Sequence, residues 1–168
     1  NMPQTSLPNV LCYEDLIAGE QDTVDWPLMD ENSHAALCYT SGTTGNPKGV
    51  MYSHRSTVLH CLGAAGRDAM DIDQETVVLP VVPMFHVNAW GTPYSATMTG
   101  AKLVLPGPLM DGKSLWELID KEQVTLLLGV PTIWLMLLDY MNEIGEALTS
   151  VEKVIIGGSA VPLAMIRA

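Results

Sequence analysis

Basic side chains are scarce in this sequence, which has eight Lys and Arg residues against nineteen Asp and Glu and a formal net charge of −11. Nucleic-acid-binding domains need a basic face that neutralises phosphates, and anionic membrane surfaces attract clusters of Lys and Arg. The sequence therefore argues against both kinds of partner. The acidic residues are scattered along the chain, and we interpret them as solvated surface.

Cysteines are also few, and Cys12, Cys38 and Cys61 show neither CxxC nor metal-ligand spacing. An odd number at irregular intervals fits a reducing compartment. The longest apolar runs, residues 77–85 and 124–130, are far shorter than the roughly 20 residues of a membrane span. No signal peptide opens the sequence. We therefore expect a cytoplasmic protein without a transmembrane segment.

Charged residues make up only 16% of the chain and hydrophobic residues 48%, with a mean hydropathy of +0.21. Soluble domains usually carry about 25% charged residues. Such a balance suits a buried α/β sheet, or part of a longer protein whose other parts cover apolar surface. The last predicted helix begins at Pro162, close to Ala168, so we expect the native protein to continue.

Beyond a loop-rich lead-in, residues 1–33, short apolar segments alternate with segments of helical spacing. Strands are predicted at residues 35–40, 76–82, 101–105, 124–128 and 154–156. Helices are predicted at residues 13–18, 53–70, 87–99, 111–122 and 131–144, and from 162 onwards. Apolar strands separated by helices indicate parallel βαβ units. The sequence thus predicts an α/β core over residues 34–168, a largely parallel sheet with flanking helices.

Residues 40–49, TSGTTGNPKG, form the most informative segment, which follows a predicted strand and precedes a predicted helix. Its glycines allow φ > 0 and close approach to a ligand, and successive N–H groups there can bind an anion. Hydroxyl groups and Lys48 add donors and a positive charge. The segment is not a Walker A loop. The order of glycine, hydroxyl and lysine favours phosphate binding over an ordinary surface turn.

The segment TSGTTGNPKGV resembles the signature of the adenylate-forming superfamily, which includes acyl-CoA synthetases, peptide-synthetase adenylation domains and luciferases. The resemblance implies part of the large N-terminal domain of such an enzyme. It implies that the loop binds the β- and γ-phosphates of ATP and that the Thr40 hydroxyl helps to coordinate Mg²⁺, a cation that prefers oxygen ligands. The implied nucleotide contacts are Thr40, Ser41, Gly42, Thr43, Thr44, Gly45 and Lys48.

A second segment, residues 82–94 with the sequence VPMFHVNAWGTPY, resembles the PMFHxNAW stretch of medium- and long-chain fatty acyl-CoA synthetases. The resemblance implies that His86 lies beside the acyl carboxylate and that Val87 contacts nucleotide. It places Trp90 at the mouth of the acyl tunnel, where the side chain moves when nucleotide binds. His86 and Lys48 are the candidate catalytic residues. A lone histidine is otherwise usually structural.

The remaining histidines are weaker candidates. His54 follows residues 40–49, which we call the phosphate loop, and is a candidate either to cap a helix or to line the site. His34 and His60 are expected to be structural or exposed.

A third segment, VIIGGSAVP at residues 154–162, places a Gly-Gly turn between a predicted strand and a helix. Ligands of open α/β sheets usually bind at such turns, although the pattern alone is weak. The resemblance implies that Gly158 contacts nucleotide, and that Gly157, Ser159 and Ala160 lie near the adenosine and acyl groups. Residues 126–132, LLLGVPT, are expected to be mainly core.

The resemblance covers roughly residues 34–163 and implies a two-step reaction. A fatty acid and ATP give acyl-AMP and pyrophosphate, and acyl-AMP and CoA then give the thioester and AMP. The family's YGxTE and TGD segments and its C-terminal domain are not in this sequence, so we expect the isolated chain to be inactive. The expected cofactors of the full enzyme are ATP, Mg²⁺ and CoA, and a homodimer is compatible with the resemblance.

Three alternatives stay open. The enzyme could be an adenylate former for an aryl, amino or short-chain acid. It could be a truncated nucleotide-binding module without chemistry. It could also be a phosphotransferase with a different glycine loop, which predicts ADP rather than AMP as product.

Overall fold

The computed structural model describes residues 5–40 and 45–167, apart from the side chain of Ala164. The strands in this part are β1 (His34–Thr40), β2 (Lys48–Ser53), β3 (Val77–Pro80), β4 (Lys102–Leu103), β5 (Leu126–Gly129) and β6 (Lys153–Ile156). The helices are α1 (Tyr13–Ile17), α2 (His54–Ala64), α3 (Val87–Trp90), α4 (Thr92–Thr99), α5 (Gly112–Glu122), α6 (Pro131–Ile144) and α7 (Leu163–Arg167).

Strands β3 to β6 form one sheet in the order β4-β3-β5-β6, and every pairing in it is parallel. Val78 pairs with Leu126, and Leu128 pairs with Ile155. Strand β5 is buried along its whole length, which agrees with its unbroken apolar sequence, since parallel sheets are covered on both faces. The predicted α/β class with a largely parallel sheet is confirmed.

The strand order reverses direction in the middle of this sheet. The chain passes from β3 to its neighbour β4, and then returns through α5 to place β5 on the other side of β3. The carboxyl ends of β3 and β5 therefore flank a topological switch point. In open α/β sheets, the crevice at such a point is where ligands generally bind.

Each face of the sheet has its own apolar cluster. Leu79 and Leu127 pack with Leu115, Ile119 and Trp134 of helices α5 and α6 on one face. Val78, Leu126 and Leu128 pack with Ile72, Val82 and Ala89 on the other. Successive residues of β3 and β5 alternate between the two clusters, because side chains of a strand alternate with period two.

Strands β1 and β2 form a separate antiparallel hairpin, in which Thr40 pairs with Lys48. The predicted strand at residues 35–40 is confirmed, and a helix follows the phosphate loop as predicted, but a strand that was not predicted, β2, lies between them. β2 intervenes, because Val50, Met51 and Tyr52 can pair across the hairpin with β1. Helix α2 then begins after Ser53, whose Oγ accepts a hydrogen bond from the Ser56 N–H at 3.0 Å.

Two predicted helices differ from the observed ones. Helix α2 ends at Ala64, six residues before the predicted end at residue 70. Gly63 and Gly66 lie at this end, and glycine weakens a helix. The predicted helix at residues 87–99 is divided at Gly91, whose φ is +73°. Pro93 lies in the first turn of α4, a position that suits proline. The other predicted elements are present, with ends shifted by at most two residues.

The end of the lead-in contacts the start of α2. The His54 N–H donates to the carbonyl of Ser33 at 3.1 Å, and the Arg55 guanidinium pairs with Glu31 at 2.9 Å. In the described part of the chain, no helix is long and apolar enough to cross a membrane.

Candidate active site

The second and third sequence segments meet at the carboxyl edge of the parallel sheet. The second follows β3 and the third follows β6. An ideal Cβ added to Gly157 would lie 2.8 Å from Cη2 and 2.9 Å from Cζ2 of Trp90. The indole therefore rests directly on the backbone of Gly157, at a contact that any side chain would obstruct. The structure thus brings together two of the predicted site residues, which lie far apart in sequence.

The first segment reaches the same region through β1. The Sγ–H of Cys38, a buried residue two positions before Thr40, donates to Oδ1 of Asn88 at 3.3 Å. The hairpin that holds the phosphate loop therefore touches the second segment. Four predicted phosphate contacts, Ser41, Gly42, Thr43 and Thr44, lie outside the described residues. Their assignment stays a prediction.

The two ends of the phosphate loop are described. Thr40 and Lys48 are direct partners in the hairpin, and directly opposite residues of an antiparallel pair project from the same face. Both are exposed. A hydroxyl and an ammonium group therefore stand side by side at the base of the loop, a donor set that suits a phosphate. Gly45 in the loop has a φ of +93°, which favours glycine.

Metal binding in the described ranges would depend on Thr40 together with ligands from elsewhere. No group of three or more His, Cys, Asp and Glu side chains in those ranges could hold an ion. The Thr40 hydroxyl supplies one oxygen ligand of the kind that Mg²⁺ accepts.

A left-handed helical turn at residues 87–90 carries two of the predicted site residues, Val87 and Trp90. The φ angles of Val87, Asn88, Ala89 and Trp90 are +51°, +50°, +50° and +56°. Each such residue costs about 1–2 kcal/mol relative to the right-handed form. Asparagine tolerates this region, but β-branched valine does so poorly. The turn is therefore strained and needs support from the rest of the fold.

Several contacts hold this left-handed turn in place. Ala89 is fully buried in the cluster beneath it, and the buried Thr92 hydroxyl donates to the Ala89 carbonyl at 2.7 Å. Nε2 of His60 in α2 lies 3.0 Å from the Trp90 carbonyl. We expected His60 to be structural or exposed, and it is exposed, but no sequence pattern indicated this contact with the candidate site.

His86 directly precedes the left-handed turn and is exposed. Its N–H donates to the carbonyl of Pro83, and its own carbonyl accepts from Ala89, at 3.0 and 3.1 Å. The chain before it lines an apolar pocket of about 450 Å³ between the carboxyl ends of β3 and β4. That pocket is bounded by residues 80–85, residues 105–107 and Met110. The proposed contact of His86 with a carboxylate stays a prediction.

The Gly-Gly turn after β6 is anchored to the centre of the sheet. The Gly157 N–H donates to the carbonyl of Gly129, at the end of β5, at 3.2 Å. Gly158 has a φ of +82°, and an ideal Cβ added to it would lie 3.1 Å from Cγ1 of Val130. Ser159 and Ala160 follow as exposed residues. Trp90 thus covers the backbone at Gly157, whereas the backbone at Gly158 is exposed.

Solved structures share this fold. The inhibitor-bound N-terminal domain of FACL13 from Mycobacterium tuberculosis matches with a TM-score of 0.67 at 30% identity, over 85% of this chain and 36% of that one. The o-succinylbenzoate CoA synthetase MenE from Bacillus subtilis, in complex with ATP and magnesium, matches with a TM-score of 0.76 at 24% identity. That match covers 91% of this chain and 31% of the synthetase.

Several curated relatives are CoA ligases. A medium-chain-fatty-acid–CoA ligase from Ectopseudomonas oleovorans is 56% identical over 161 residues, 96% of this chain. A 3-methylmercaptopropionyl-CoA ligase from Ruegeria lacuscaerulensis is 52% identical over 95% of it. A long-chain-fatty-acid–CoA ligase from Thermus thermophilus is 49% identical over 98%. The chain spans about 30% of the length of each of these relatives.

The family model described as AMP-binding enzyme matches residues 4–168, nearly the whole sequence. Together with relatives above 50% identity that are named as CoA ligases, this match agrees with the fold and with the convergence of the three segments. The chain belongs to the family of AMP-binding enzymes.

Proposed function

We propose that this chain is part of an ATP-dependent fatty acyl-CoA ligase, and that the ligase is longer than the 168 residues of this chain. The observation that supports the proposal most is the contact of Trp90 with Gly157 at the switch point, next to the hairpin of the phosphate loop. The names of the relatives support a CoA ligase of fatty acids. The isolated chain, which spans about 30% of their length, is proposed to be inactive.

In this proposal the loop of residues 40–49 binds the β- and γ-phosphates of ATP. Lys48 supplies positive charge, Thr40 supplies a hydroxyl, and the loop amides supply further donors. Mg²⁺, when bound with ATP, reduces the negative charge of the triphosphate. Gly158 and Val87 contact the nucleotide, and Gly157 and Ser159 lie beside the bound acid.

The acid is proposed to bind between the second segment and the Gly-Gly turn. His86 donates a hydrogen bond to the carboxylate without acting as a base, and Trp90 lies beside the acyl chain. A carboxylate oxygen then attacks the α-phosphorus of ATP, the bond to the β-phosphate bridging oxygen breaks, and pyrophosphate leaves. Ordered donors offset the repulsion between the two anions and hold them in line. CoA attacks the resulting acyl-AMP and releases AMP.

A second candidate substrate is a short acid with a thioether. The 3-methylmercaptopropionyl-CoA ligase is nearly as similar to this chain as the medium-chain enzyme, at 52% against 56% identity.

The proposal also includes a cytoplasmic location, which agrees with the three free cysteines. It further includes a homodimer.

ATP–pyrophosphate exchange tests the proposal on the full-length protein, with octanoate, palmitate, benzoate and 3-methylmercaptopropionate as separate substrates. We expect exchange with octanoate or palmitate, and AMP as the nucleotide product once CoA is added. Exchange with 3-methylmercaptopropionate alone would assign the second candidate. Absence of exchange with every acid, or ADP as product, would contradict adenylation.

A further inference from the structure

We infer that His60 is a positioning residue for the acid site, since its Nε2–H holds the carbonyl of Trp90 and thereby keeps the indole on Gly157. The inference rests on the proposed function, because it assigns a role within the same site. It concerns a side chain on α2 that belongs to none of the three sequence segments.

The hydrogen bonds of the left-handed turn show where His60 acts. The carbonyls of His86, Asn88 and Ala89 accept from the Ala89 N–H, the Gly91 N–H and the Thr92 hydroxyl, respectively. These three bonds lie within the segment itself. The carbonyl of Trp90 instead accepts from α2, where Nε2 of His60 lies 3.0 Å away. His60 therefore joins the last residue of the strained turn to a neighbouring helix.

The chemistry of this contact fixes the position of a proton. A backbone carbonyl only accepts hydrogen bonds, so the Nε2 atom of His60 must carry the hydrogen. This holds for the Nε2–H tautomer and for the imidazolium alike. An apolar side chain of the same length cannot replace this donor, whereas a glutamine amide can.

The packing shows that the histidine ring and the backbone fit closely. An ideal Cβ on Gly91 would lie 2.5 Å from Cδ2 and 2.7 Å from Nε2 of His60. Gly91 thus provides both the positive φ that ends the turn and the space for the imidazole. The adjacent Cys61 is buried against the Gly91 carbonyl, with Sγ 3.9 Å from the oxygen. The imidazole of His60 on α2 therefore packs against the backbone of Trp90 and Gly91.

Trp90 is consequently held from two sides. Its main chain is bound to His60, and its indole rests on Gly157. Without the His60 donor, Trp90 can leave the left-handed region, and its indole then leaves Gly157. The phosphate loop lies in the β1–β2 hairpin, whereas Trp90 lies in the segment after β3. Loss of the donor is therefore expected to affect the acid more than ATP.

The test compares His60→Ala with His60→Gln in the full-length protein labelled with 5-fluorotryptophan. The ¹⁹F resonance of Trp90 is identified by its loss in Trp90→Phe. We expect His60→Ala to shift this resonance and to raise KM for octanoate roughly three- to tenfold, the effect of one lost hydrogen bond. KM for ATP should change less than about twofold in this comparison. His60→Gln should restore both the resonance and KM.

Leu62→Ala is the matched control, since Leu62 lies on the same helix and is exposed; it should leave the Trp90 resonance unchanged. If His60→Ala reduces the folded fraction, His60→Met replaces it as a donor-free variant of similar length. The inference would be overturned if the variant without the donor kept both the wild-type Trp90 resonance and the wild-type KM for octanoate. It would also be overturned if His60→Gln shifted the resonance and raised KM as much as His60→Ala does. Failure of the wild type to activate any acid would instead contradict the proposed function, and the fluorine signal would still test the contact.

Discussion

The indole of Trp90 rests on the backbone of Gly157, so closely that a Cβ on the glycine would lie 2.8 Å from Cη2. Trp90 follows β3 and Gly157 follows β6, and these two strands are separated by β5 in the sheet. The contact therefore spans the switch point where the strand order reverses. It unites two sequence segments that each gave only part of the evidence for a ligand site.

Gly157→Ala should displace the indole of Trp90. Overpacking of a closely fitted contact costs about 1–3 kcal/mol, so we expect kcat/KM for octanoate to fall roughly tenfold in exchange assays. In a Trp90→Phe background, Gly157→Ala should lower kcat/KM by a smaller factor, because the smaller ring leaves room for the methyl group. If Gly157→Ala lowered kcat/KM by the same factor in both backgrounds, the loss would not depend on the contact with Trp90. Gly63→Ala, where nothing lies within 4 Å of the added Cβ, is the control.

Lys48→Ala and Thr40→Ala should each weaken the use of ATP without unfolding the protein. Both side chains lie at the base of the phosphate loop, on the same face of the hairpin. Loss of a charge-assisted hydrogen bond to phosphate should raise KM for ATP roughly tenfold. Lys113→Ala removes a lysine from the exposed face of α5 and should keep the wild-type value. Unchanged ATP kinetics in both loop variants would disprove the assignment of the loop.

Gly63→Ala should raise stability and Gly112→Ala should lower it. Gly63 lies in the last turn of α2 with open space around it, so alanine gains about 0.5–1 kcal/mol of helix propensity. A methyl group on the buried Gly112 would instead collide with the carbonyl of Met136, where α5 and α6 approach each other. Thermal unfolding of the full-length variants should show midpoint shifts of opposite sign. Shifts of the same sign would contradict this description of helix packing.

Asp111 should make the stability of α5 depend on pH. The hydroxyl and then the N–H of Ser114 donate to its carboxylate, and these bonds hold the pKa of Asp111 below its ordinary value of 3.8. Because the pKa is lowered in the folded state, the stabilisation is present above pH 3.8 and is lost as the pH falls through the folded-state pKa. Asp111→Asn keeps a helix cap but removes this titration. Unfolding midpoints of wild type and variant should therefore converge in acid, and parallel curves would refute the effect.

Much of the core follows from local patterns. The apolar sequence of β5 indicated a strand buried on both faces, and α6 agrees with the predicted residues 131–144 because Pro131 and Gly145 mark its two ends. The phosphate loop, His86, Trp90 and the Gly-Gly turn were identified as candidate site residues before their positions were known. The resemblance of short segments to a known family implied these candidates, and such segments depend only on residue type and short-range spacing.

Other features depend on partners distant in the sequence. Strand β2 was missed because its pairing partner, β1, decides whether residues 48–53 form a strand or begin a helix. The left-handed turn was missed because Val87 and Ala89 locally favour right-handed or extended backbone. Burial of Ala89 and the hydrogen bonds from Thr92 and His60 offset that preference.

By itself, the sequence determined the α/β class and the parallel strands, since hydrophobic periodicity and turn residues act over a few positions, and its three segments carried the resemblance to a known family. Only the tertiary structure decided that Trp90 would meet Gly157, that Cys38 would reach Asn88 and that His60 would hold the Trp90 carbonyl. The reason is that these contacts exist only after the strands are ordered, and strand order depends on the packing of the whole sheet.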